Sequence, residues 1–169
     1  MPAQPDARWV NVVGWMDDDG VHPMSFEVLE GLAVEWADFV PDELASTGAS
    51  ALLRTSRSLF AHAWFDYEFM AVACLVGFQA LEAAFRQLYP EASVKASLMR
   101  LVRRAQDEEL IPANMADLAI TGVELRNLMS HPASQAGYSV GMAAGMLENT
   151  HRLVALVTAT AIARDKEGP

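Results

Sequence analysis

From Ser25 to Arg164 apolar residues recur three and four positions apart, and the repeat is interrupted at Pro41, Pro90, Pro112 and Pro132. A 3.6-residue period buries one stripe of a helix, and proline cannot continue one. The chain is therefore expected to be all-α, a bundle of about five helices behind a short N-terminal extended segment. Phe26, Leu29, Ala33, Trp36 and Val40 form the first stripe, with Ser25 as N-cap and Pro41 as stop. Ser50 caps a helical stretch running from Ala51 towards Tyr89. A helix of that length is unusual in a globular domain, so a break is expected near Trp64 to Asp66. Further helices are expected over Val94 to Leu110, Ala113 to Ser130, and Ser139 to about Arg164. Ahead of them, Arg8 to Met16 is rich in Val and Trp and leads into Asp17-Asp18-Asp19-Gly20, the pattern of a short strand or arm ending in a turn. Those aspartates lack the alternating ligand spacing of a calcium loop. Residues 1–41 form the N-terminal segment and first helix, residues 42–169 the remaining bundle, and the whole is expected to be a single compact domain.

Composition narrows the function. A hydrophobic fraction of 52% excludes a disordered chain. The single cysteine, Cys74, excludes an internal disulfide framework and a cysteine-based zinc site. His22, His62, His131 and His151 are scattered, so no metal or cofactor is expected. Asp+Glu 22 against Lys+Arg 12 gives a net charge of -10, which argues against a surface that coats nucleic acid. The N-terminus has no signal-peptide pattern, and the longest apolar run, Phe69 to Phe78, falls short of the ~20 residues that cross a bilayer. A cytoplasmic protein without membrane attachment is expected.

One constellation carries chemistry: Arg126-Asn127-Leu128-Met129-Ser130-His131-Pro132. Arg57 and His62 have the same spacing, so the spacing alone is weak evidence. On a continuous helix such a pair diverges by ~140°. His131 differs because it precedes proline, which drives it out of the α region and lets it swing back towards Arg126. Asn127, four residues before His131, can orient the imidazole. The bland alternative is an Arg126 ion pair with Asp117 and a simple helix stop at His131.

The Arg-Asn-Leu-Met-Ser-His stretch resembles the signature of HEPN domains, and Phe78-Gln79-Ala80-Leu81-Glu82-Ala83-Ala84-Phe85-Arg86 resembles their central helix. The resemblance covers roughly residues 58–164. It implies a homodimeric, metal-independent endoribonuclease, a toxin or phage-defence effector, with RNA as substrate and an antitoxin or regulatory protein as partner. Arg126 and His131 are the implied catalytic residues. Arg126 binds the scissile phosphate, and His131 moves a proton during attack by the ribose 2′-OH. Asn127 and Ser130 support them. Glu82 either orients Arg126 or forms an i,i+4 pair with Arg86. Arg100, Arg103 and Arg104 either steer RNA or form a solvated face. Ala133 stands where related toxins carry a tyrosine that receives AMP, and Tyr138 lies too far along to replace it. The alternative function is a catalytically inactive HEPN-like module that binds a nucleotide or a protein.

Overall fold

The computed structural model describes residues 4–12, 14–17, 19–40, 47–129 and 139–167, with the side chains at 17, 125–129 and 167 outside the description. Among the described residues the chain is mainly helical. A 3-10 turn at Ala7–Asn11 leads into strands β1 (Trp15–Asp17) and β2 (Gly20–His22). These pair antiparallel, with Met16 opposite Val21. Helices α1 (Phe26–Glu35), α2 (Gly48–His62), α3 (Phe69–Leu88), α4 (Leu98–Asp107), α5 (Ala113–Met129) and α6 (Val140–Glu167) follow. A second 3-10 turn, Trp36–Phe39, extends α1.

The helix starts follow local capping chemistry. Ser25, Ser97 and Ser139 each accept a hydrogen bond from a backbone N–H three residues on, filling donors that the first turn leaves open. Thr47 caps α2 by accepting from Ser50 N–H, so this helix begins ahead of the expected Ala51. The expected break between Ala51 and Tyr89 separates two helices, which raises the count to six among the described residues. Residues 8–11 are a 3-10 turn and not extended, because the Asp6 carboxylate accepts from Arg8 N–H and closes the chain on itself.

The long helices α3 and α6 run in the same direction through two clusters of buried side chains. In the first, Leu81, Ala84 and Phe85 of α3 meet Leu153, Val154 and Val157 of α6, with α4 and α5 around them. In the second, Met70 and Cys74 meet Val140, Ala143 and Leu147, joined by Trp9, Leu29, Trp36 and Phe60. The two helices approach closely at Gly77, where an added Cβ would lie 3.1 Å from Leu147. By length and hydropathy α3 is also able to cross a membrane, since scattered polar residues do not interrupt its apolar character. Here it lies packed against α2 and α6.

Two anchors fix the ends. Trp9 is 5% exposed, donates from Nε1 to the Ala63 carbonyl at 3.0 Å, and stacks near Trp64 and Tyr67. The N-terminal arm is thereby plugged into the turn between α2 and α3. At the opposite end, the Tyr89 hydroxyl donates to Glu108 at 3.0 Å, and Arg164 reaches the same carboxylate. Arg104 lies 4.0 Å over the Tyr89 ring. The C-terminal ends of α3, α4 and α6 therefore converge, and α5 starts beside them and runs back antiparallel to α3 and α6.

Candidate functional site

The antiparallel course of α5 determines where the motif falls. Ala116, Ala119 and Val123 are buried on its inner face. Gly122 stands directly on Phe78 of α3, where an added Cβ would lie 2.5 Å from the ring. Arg126 is one turn further on, and with Asn127 it occupies the last turn of α5. That turn is at the end of the bundle away from Tyr89, near the start of α6. The side chains of Arg126 and Asn127 lie outside the described residues, as do Ser130, His131, Ala133 and Tyr138 in full.

Glu82 is described. Arg86 donates to its carboxylate through Nε at 3.0 Å and Nη2 at 2.6 Å, the i,i+4 pair weighed from the sequence. Arg86 also donates to the Val94 and Ala96 carbonyls, tying α3 to the following loop. From the Phe78–Gly122 contact, Glu82 lies one turn towards the Tyr89 end and Arg126 one turn the other way. Their backbones are thus offset by roughly 12 Å along the helix axes.

The three arginines of α4 separate into two kinds. Arg104 is held by Glu91 at 2.5 Å and Glu108 at 2.8 Å, besides stacking on Tyr89. Its charge is thus committed to the fold. Arg100 and Arg103 are exposed and border an open groove of about 570 Å³ with Ser93 and Ser97. Since α4 and α5 form a helical hairpin, Arg100 lies at the end of α4 nearer the last turn of α5.

The remaining candidates are structural. His62 turns towards Phe26 and Phe65, whereas Arg57 approaches Arg54 and His151, so this second Arg/His pair diverges as helical geometry requires. Cys74 is buried, and burial pushes its thiol up to about 12, which removes the reactive thiolate. His151 is fully buried beside Trp36. Its Nδ1–H donates to the Leu147 carbonyl at 2.7 Å, while Nε2 makes no hydrogen bond among the described residues. Burial lowers its pKa to about 4, so the ring is neutral at physiological pH. No group of three metal-ligating side chains occurs among the described residues.

Two further grooves flank the start of α6. One, about 260 Å³, lies between α5 and α6 and is lined mainly by apolar groups, including Leu118, Met142 and Met146. The other, about 640 Å³, lies between α1 and α6 and mixes aromatic and acidic groups. Sequence reasoning missed the latter. Its one local signal was the Glu148/Arg152 spacing, and its walls come from segments more than a hundred residues apart. Comparison with family models, curated proteins and solved structures finds no match for the chain.

Proposed function

We propose that the protein is an HEPN-like, metal-independent endoribonuclease that acts as a homodimer on RNA. The observation that carries this reading is the position of Arg126 and Asn127 on the last turn of α5, a few residues ahead of His131-Pro132. The backbone of Arg126 lies within α5, and the proline that follows His131 disfavours α geometry at the residue before it. The Arg126 guanidinium binds the scissile phosphate through its planar fork. Neutral His131 accepts the proton of the ribose 2′-OH. O2′ then bonds to phosphorus, the P–O5′ bond breaks, and a proton is returned to O5′. The products are a 2′,3′-cyclic phosphate and a 5′-hydroxyl. Arg100 and Arg103 supply local positive charge in a chain whose net charge is -10. That acidity favours a second reading, a catalytically inactive HEPN-like module that binds a nucleotide or a protein.

Expression in a bacterial host separates the two. The nuclease reading predicts growth arrest and RNA cleavage that persists in excess chelator and is lost in both Arg126→Ala and His131→Ala. Equal growth and intact RNA with all three chains would support the binding module.

A further inference from the structure

The groove between α1 and α6 is built as a binding surface. The 3-10 turn Trp36–Phe39, more than α1 itself, carries the packing against α6, which leaves a groove between the two helices among the described residues. Its walls are two helical stripes, Glu27-Gly31-Glu35 on α1 and Gly141-Gly145-Glu148-Arg152 on α6. A Cβ added at Gly31, Gly141 or Gly145 would meet nothing within 4 Å among the described residues, so another backbone can approach closely. The β-hairpin places Met16 on the rim at 75% exposure, an apolar side chain without cover from the described residues.

Charge selects the occupant. Glu27 and Glu35 have no basic partner among the described residues, and the one arginine lining the groove, Arg152, is already paired with Glu148 at 2.9 Å. Arg152 also lies 3.9 Å over the Phe39 ring. A guanidinium on an aromatic face and against a carboxylate is thus the chemistry this groove already uses. From Gly141 to Arg152 the α6 wall is roughly 16 Å long, about three helical turns and too long for one small cation to fill. A second copy seated groove to groove would set Glu27 and Glu35 against like charges.

We propose that this groove docks a short basic amphipathic helix of a partner protein. Its Arg or Lys side chains meet Glu27 and Glu35, its apolar side chains cover Met16 and Leu32, and its backbone rests on the glycine floor. The site uses none of the residues assigned to RNA cleavage and stands whether or not the chain is a nuclease.

The probe is a fluorescein-labelled amphipathic helix of Leu, Ala and Arg, followed by anisotropy on the intact chain. Binding is expected to weaken roughly tenfold in Glu27→Gln/Glu35→Gln and to vanish in Gly31→Trp, whose indole would occupy the α1 wall of this groove alone. Glu30→Gln, outside the groove, should leave binding unchanged, and circular dichroism should show all variants folded. Several results would overturn the proposal. They are no binding by the intact chain, an equal loss in Glu30→Gln, displacement of the peptide by equimolar spermine, and a solution dimer that Gly31→Trp converts to monomer.

Discussion

Replacing Gly122 with alanine tests the packing that sets the course of α5. In the interior of an ordinary helix this change stabilises by about 0.8–1 kcal/mol, because glycine has the larger backbone entropy to lose. Here the new methyl would lie 2.5 Å from Cε1 and 2.7 Å from Cζ of Phe78. Carbon atoms in good contact stand about 3.5–4.0 Å apart, so the ring or the helix has to retreat by about 1 Å. Phe78 is 3% exposed, so its ring moves only at the expense of its core neighbours. Overpacking of this kind costs about 1–3 kcal/mol, so the net effect is a loss of up to about 2 kcal/mol. Gly145→Ala is the control, since its methyl meets nothing within 4 Å among the described residues and keeps the whole helical gain. The two variants should differ by about 2 kcal/mol, or roughly 4–8 °C in thermal midpoint for a chain of this size. Gly122→Ala combined with Phe78→Leu should recover part of the difference by removing the ring edge. Thermal unfolding followed at 222 nm measures all of these. Equal stabilisation by Gly122→Ala and Gly145→Ala would show that α5 does not cross α3 at Gly122.

Two further perturbations test the ends and centre of the core. His151 is fully buried, and burial lowers its pKa from 6.5 to about 4. The unfolded chain therefore binds the extra proton between those values. The folded state keeps its full stability above pH 6.5 and loses up to about 3 kcal/mol as pH falls towards 4. Urea titrations should show His151→Leu gaining on the parent chain across that window, and parallel curves would refute the assignment. Trp9→Ala removes the plug between α2 and α3 together with its hydrogen bond to Ala63. A loss of about 3–5 kcal/mol is expected, whereas a thermal midpoint within a degree of the parent would show that the N-terminal arm does not anchor the bundle.

What could be read from the sequence was local. Ser25 caps α1 because its hydroxyl and the Val28 N–H are three residues apart, a relation that needs no tertiary information. The same holds for the Glu82–Arg86 pair and for Ser139 at the head of α6. The expected helix over Val94 to Leu110 is shorter in fact, Leu98–Asp107. Ser93 accepts from Lys95 N–H and holds a turn, leaving Ser97 as the cap. At the other end Glu109 takes φ 57°, and Leu110 N–H closes back on the Ala105 carbonyl. Non-glycine residues rarely adopt that conformation, so sequence alone offered no sign of it. The insertion of Trp9 beside Ala63 and the acidic groove between α1 and α6 depend on segments that meet only after folding. For the motif itself, the sequence supplied Arg126 and His131, and the fold adds the direction of α5 and its last turn.

The most direct test of the nuclease assignment is the chemistry of the cut ends. A 5′-labelled DNA oligonucleotide containing a short run of ribonucleotides is incubated with the protein in excess chelator, and the products are resolved by mass spectrometry. The account predicts scission only 3′ of a ribonucleotide, leaving a 2′,3′-cyclic phosphate, with no scission when those sugars are 2′-O-methylated. Scission within the deoxyribose segments, or scission undiminished in Arg126→Ala and His131→Ala, would contradict it.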